Sequence, residues 1–183
     1  ADTTNTLAEG EVLQLMNRQD ASLTEADYFD IIYRKTAKLF ESSGEIAAVD
    51  TPYQSAMADY GRHLGLCFQI IDDLLDYTGS SQKTGKNIGD DLAEGKMTLP
   101  LIYALENANT EQRQYIHNTI KTPSEAALPS ILACIESSQA IARCHDQAQQ
   151  QGKLAITAIE PLPDSKYKQA LINLVDFALL RHF

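Results

Sequence analysis

Apolar and polar positions recur with helical spacing along almost the whole chain, and one stretch sets the pattern. In residues 68–77, FQIIDDLLDY, the polar residues Gln69, Asp72, Asp73 and Asp76 fall at i, i+3, i+4 and i+7, which is one face of a helix. Leu64, Phe68, Ile71 and Leu75 form one apolar stripe on the same helix, and Cys67, Ile70 and Leu74 form a second. A helix that is apolar all round except for one strip is mostly buried. Three carboxylates cannot share a buried place without cations, because desolvation and mutual repulsion both oppose ionisation. A water-filled cavity holding hard divalent cations resolves the conflict, and an all-oxygen ligand set that tolerates retained water favours Mg²⁺.

The same periodicity divides the rest of the chain into helices. Residues 5–17 place Leu7, Leu13, Leu15 and Met16 among Glu9, Glu11 and Gln14. The pattern starts almost at Ala1 with no Met before it, so a fragment is expected; simple Met removal is the alternative. Residues 24–43 predict a helix with Thr24 as cap, Asp27 at N3 and Gly44 just past its end. Its apolar face runs Tyr28, Ile31, Ile32, Leu39 and Phe40, with Lys35 and Thr36 set inside that face. Lys35 is either an amine snorkelling to water or a cation aimed into the cavity of the aspartates. Periodicity leaves both open. After Pro52 the aspartate helix runs from about Tyr53 to Tyr77, and Gly61 and Gly65 permit a close helix contact at some cost in propensity. Helices are further expected over 100–107, over 110–121 with Thr110 as cap, over 124–136 around Pro129, over 138–159 with Ser138 opening it, and after Pro163. In the last, Asp164 is the expected cap and Leu171, Leu174, Val175, Ala178 and Leu179 one apolar face. No stretch alternates with the period of a strand and no internal repeat is present, so the class is all-α.

Residues 78–97, TGSSQKTGKNIGDDLAEGKM, form the one long irregular stretch. Gly79, Gly85, Gly89 and Gly95 interrupt regular structure, Lys83, Lys86 and Lys96 supply positive charge, and Asp90 and Asp91 add carboxylates. A loop of this length in a compact domain is usually functional or disordered. This one suits a lid over a diphosphate; a solvated surface loop is the alternative.

Composition narrows the classes. At 183 residues with 44% hydrophobic and 22% charged residues, the chain can build one core. Its net charge of −10 argues against a nucleic-acid partner. No apolar run is long enough to span a membrane. The three cysteines, Cys67, Cys134 and Cys144, show no metal-type spacing and point to reduced thiols and a cytoplasmic setting; Cys67 and Cys134 lie in apolar runs and are expected in the core. The four histidines are scattered and carry no catalytic pattern. No Walker-type phosphate loop occurs. Lys35, Thr36, Gln69, the aspartates and the loop lysines together suggest a Mg²⁺–diphosphate site between helices.

GEVLQL (10–15), the Lys35-Thr36 pair, FQIIDDLLDY (68–77) and GKNIGDDLAEGKMTLPL (85–101) carry a clear resemblance. The sequence is similar to the C-terminal part of the trans-polyprenyl diphosphate synthases, nearest their long-chain bacterial branch. The likeness covers the chain and loosens beyond residue 110. It implies an all-α bundle of the isoprenoid synthase type, with residues 1–183 the C-terminal portion of one such domain lacking its N-terminal helices. It further implies a homodimer and Mg²⁺-dependent condensation of an allylic diphosphate with isopentenyl diphosphate. By position, Asp72, Asp73 and Asp76 are the second aspartate-rich motif, Asp72 the first choice for a direct metal ligand, and Asp76 and Asp91 helpers through water. Lys35, Lys86 and Lys96 fall to diphosphate binding. Thr36 and Gln69 fall to positioning the allylic chain and stabilising developing positive charge. The family's first aspartate-rich motif and its isopentenyl diphosphate site do not occur in these residues, so the 183 residues alone are expected to be inactive. Rival readings are a non-catalytic subunit of a prenyl synthase and a terpene cyclase. Retention of Lys35 and the third aspartate argues against the first, and the GKNIGDDLAEGK loop against the second.

Overall fold

The structure is a computed structural model that describes residues 1–79 and 88–181, apart from the side chain of Glu125. Among these residues there is no strand. Helices α1 (Asp2–Met16), α2 (Glu25–Ile32), α3 (Lys38–Ala47) and α4 (Gln54–Thr78) come first. The short α5 (Asp90–Ala93) precedes α6 (Leu99–Asn107), α7 (Thr110–Lys121), α8 (Leu128–Ser137), α9 (Ala140–Ala158) and α10 (Lys166–Leu179).

The long α4 is the central rod. It lies along α3 on one side and α9 on the other, with α6, α10 and the end of α2 closing around it. Of the two stripes read from the sequence, Leu64, Cys67, Ile70, Ile71 and Leu74 are buried, whereas Phe68 and Leu75 are half-buried. Each large aliphatic side chain buried in this way contributes roughly 1.5–3 kcal/mol. The α3–α4 contact is closer than side chains would allow. A Cβ on Gly61 would lie 2.2 Å from the Phe40 carbonyl oxygen, and one on Gly65 would lie 2.6 Å from Ala37 Cα. Gly44, expected to end the helix, lies inside α3 and faces the Met57 carbonyl in the same way.

The expected helix over 24–43 is two helices joined by a π turn at Tyr33–Ala37. A π turn takes up one extra residue. Every later position is therefore rotated, which carries Leu39 out of the predicted apolar face to 52% exposure and puts Ala37 in the core. The Thr24–Asp27 capping box forms as expected. Other caps shift by a residue. Asn109, boxed with Gln112, starts α7 in place of Thr110, and Ser165 in place of Asp164 accepts the Lys168 N–H at the start of α10. Ser138 instead donates to the Ile135 carbonyl at the end of α8, and α9 begins at Ala140 after Gln139 at φ 59°. In α10, Val175 and Ala178 face the core, whereas Leu174, one residue off that line, is 45% exposed. Cys67 and Cys144 are buried and Cys134 is half-buried; all three are free thiols. Along α1, Val12, Leu15 and Met16 are exposed.

Candidate active site

A cavity of about 450 Å³ opens between α1, α2, the π turn, α4 and the segment around α5. Lys35 and Thr36 reach it from the π turn, Gln69, Asp72 and Asp73 from α4, and Asp91 and Lys96 from beyond the irregular stretch. The π turn sets the first pair. By taking in an extra residue it turns adjacent side chains onto the same cavity wall. The turn is braced by α1, where a Cβ on Gly10 would stand 2.6 Å from the Lys35 backbone nitrogen. The same helix supplies the partners of Lys35: its ammonium pairs with Glu11 at 2.9 Å and donates to the Gln14 side-chain oxygen. The snorkelling and cavity-facing readings of Lys35 are thus both met, since the amine is partly exposed on the cavity wall.

A polar chain crosses from there to the aspartates. Thr36 Oγ1 donates to Gln69 Oε1 at 2.8 Å, and Gln69 Nε2 donates to Asp73 Oδ1 at 2.9 Å. Asp73 is only 2% exposed, and its Oδ2 accepts the Tyr28 hydroxyl at 2.7 Å. Burial first, and then the Asp73 charge, hold the Tyr28 phenol protonated far above its usual range, so it remains a donor. Lys96 closes the far side, donating to Asp91 at 2.8 Å and to Asp73 at 3.4 Å. Burial alone would lower the Lys96 pKa; the two carboxylates outweigh it and raise it. Burial, followed by the Asp73 charge, pushes Asp91 up to about 7.

Asp76 lies behind this wall. Its Oδ2 accepts the Asp91 backbone N–H at 3.1 Å and its carbonyl accepts the Gly89 N–H at 2.9 Å. Gly89, at φ 88°, makes the left-handed turn into α5 that a side chain would strain. Asp76 thus fastens the returning chain so that Asp91 faces the cavity. Burial raises its carboxyl.

Asp72 stands toward the outer mouth. Its Oδ1 lies 3.6 Å from the Arg181 guanidinium, which also covers the Phe68 ring at 4.4 Å. Sequence reading missed Arg181 and the Tyr28 hydroxyl: the first follows an ordinary amphipathic helix, and the second sits on a face that reads simply as core. Lys86 lies outside the described residues. Among the described residues no three His, Cys, Asp or Glu side chains stand together closely enough to hold a metal by themselves. Lys96 bridges Asp73 and Asp91, and Arg181 lies beside Asp72. The donor set still fits Mg²⁺, which commonly takes one or two carboxylates, waters and ligand phosphate oxygens in place of an all-protein cage.

Residues 1–136 match the polyprenyl synthetase family model. The chain belongs to the polyprenyl synthetase family. It is 44% identical over its whole length to octaprenyl diphosphate synthase of Haemophilus influenzae, covering 57% of that protein. It is 45% identical over 96% of its length to the all-trans-nonaprenyl-diphosphate synthase of Rhodobacter capsulatus, covering 55%. A polyprenyl synthase from Caulobacter crescentus, solved with calcium and isoprenyl diphosphate, superposes with a TM-score of 0.93 at 38% identity, covering 100% of this chain and 58% of its own. The chain therefore spans somewhat over half the length of the relatives it matches. Its all-α architecture is that of the family's solved members. No helix among the described residues is long and apolar enough to cross a membrane.

Proposed function

We propose that this chain carries the diphosphate-handling half of a long-chain trans-prenyltransferase, which condenses an allylic diphosphate with isopentenyl diphosphate. The observation that carries the reading is the meeting of Lys35, Thr36, Gln69, Asp72, Asp73, Asp91 and Lys96 at one cavity. Lys35 and Lys96 both line it and can grip an anionic diphosphate, and Lys86 is assigned to the same role by its sequence position. Asp72, at the mouth, would be the direct ligand for Mg²⁺, with Asp91 helping through water and Asp73 adding its charge, while Asp76, behind the wall, would act by holding Asp91 in place. When bound, the cation neutralises the leaving diphosphate as a Lewis acid. Thr36 Oγ1 and Gln69 Oε1 offer lone pairs toward the cavity, where they stabilise the positive charge that develops on the allylic carbon. The three free cysteines suit the reducing cytoplasm. A homodimer is part of the same proposal.

Calorimetric titration of the 183-residue chain with inorganic diphosphate in Mg²⁺ tests the reading. Binding is expected to require the metal and to fall about tenfold or more in Asp72→Asn, as loss of a charged ligand implies. The 183 residues contain one DDxxD. Incubation with farnesyl diphosphate and labelled isopentenyl diphosphate is therefore expected to give no elongated product. Metal-independent binding, or none, would overturn the proposal.

A further inference from the structure

The buried carboxylate of Asp73 joins the two walls of the cavity. Oδ2 accepts the Tyr28 hydroxyl at 2.7 Å, while Oδ1 accepts from Gln69 at 2.9 Å and from Lys96 at 3.4 Å. Gln69 is tied onward to Thr36, and Lys96 makes its shorter bond, 2.8 Å, to Asp91. A short O–H···O⁻ bond to a buried carboxylate is among the stronger hydrogen bonds in proteins. It prevents the carboxyl group from rotating and leaves Oδ1 alone to meet the cavity side.

We propose that Tyr28 is a positioning residue for Lys96 and Gln69, acting through Asp73. The side chain is well suited to it. Its ring is buried and stands edge-on to Phe29, and it sits in the first turn of α2, fixed by the Thr24–Asp27 box. Without the hydroxyl, Oδ2 would be a buried acceptor without its donor. The group best able to move toward it is the flexible Lys96 ammonium, which would turn inward and leave Asp91. The Gln69 amide would lose the fixed acceptor that orients it against Thr36. The hydroxyl therefore sets how far the Lys96 charge projects into the cavity, where, on the diphosphate reading above, the anion is held.

Two measurements on the 183-residue chain test this. In the ligand-free protein, the Lys96 ammonium, held by two carboxylates, is expected to give a slowly exchanging ¹⁵N–¹H signal, identified by its loss in Lys96→Gln. In Tyr28→Phe, which keeps the ring and its packing, that signal is expected to shift and broaden; an unchanged signal overturns the proposal. Should Tyr28→Phe not fold, site-specific 3-fluorotyrosine at 28, a stronger donor of the same shape, is expected to move the Lys96 signal, and no movement overturns the proposal equally. In the second measurement, Mg²⁺ and inorganic diphosphate are titrated into four proteins. Tyr28→Phe is expected to weaken binding about tenfold in the parent and less than about twofold in Lys96→Gln. Equal losses in both backgrounds overturn the positioning role. A parent chain that binds no diphosphate overturns the functional reading instead, and the ammonium signal still decides this one.

Discussion

The two halves of α4 are buried for opposite reasons. At Gly61 and Gly65 the rod presses closely against the π turn and the start of α3. From Gln69 to Asp76 it carries carboxylates, two of which, Asp72 and Asp73, face the cavity. The first half is stable because its two glycines project nothing; an added Cβ would meet the Phe40 carbonyl at Gly61 and the Ala37 Cα at Gly65. The second is stable because donors from distant parts of the chain, namely Tyr28, Lys96, Arg181 and the Asp91 amide, meet its oxygens. One helix therefore shows that burial depends on local fit in one place and on long-range charge balance in another.

Removing a cation should separate the halves most sharply. Lys96→Met strands Asp73 and Asp91 and should cost about 3–5 kcal/mol at pH 8–9, the usual penalty for breaking a buried pair. Asp91 is already raised to about 7 by burial and by Asp73. A raised carboxyl favours the fold when protonated, so this loss should shrink as pH falls through roughly that value. Denaturant melts of both proteins at pH 5 and pH 9 check it, and a pH-independent loss would break the comparison. Gly61→Ala should cost about 1–3 kcal/mol, and more if α3 cannot yield. Its loss should be the same at both pH values, because the strain is steric. Thr24→Ala lies in neither half. It should cost about 1 kcal/mol through the lost cap and leave the Lys96 ammonium signal in place; disappearance of that signal would mean that the cap is needed to hold Tyr28 against Asp73.

The sequence made the rod legible because both of its apolar stripes obey one period over many turns. Thr36, Gln69, Asp72 and Asp73 were legible on the cavity wall, but Asp76, expected on the same face, is drawn behind it by the Asp91 amide. The π turn was not legible. It adds one residue without any breaker, and a constant period then misplaced Leu39. The caps at Asn109 and Ser165 were read one residue late or early because Asn109-Thr110 and Asp164-Ser165 each offer two capable side chains. Tyr28 and Asp73 stand 45 positions apart, so no window of sequence could pair a phenol that reads as core with a carboxylate that reads as ligand. Glu11 and Gln14 were visible on α1, but their grip on Lys35 depends on how α1 leans on the turn through Gly10.

Lys35, Lys96 and Asp72 each already have an oppositely charged neighbour within the chain. On the diphosphate proposal, filling the cavity is therefore an exchange of counter-ions and not a simple arrival. Each incoming charge would then replace a partner already present, and the lost pair offsets part of the gain. Discrimination among phosphorylated compounds then follows from how well the newcomer matches the spacing of the partners it displaces, more than from how much charge it brings.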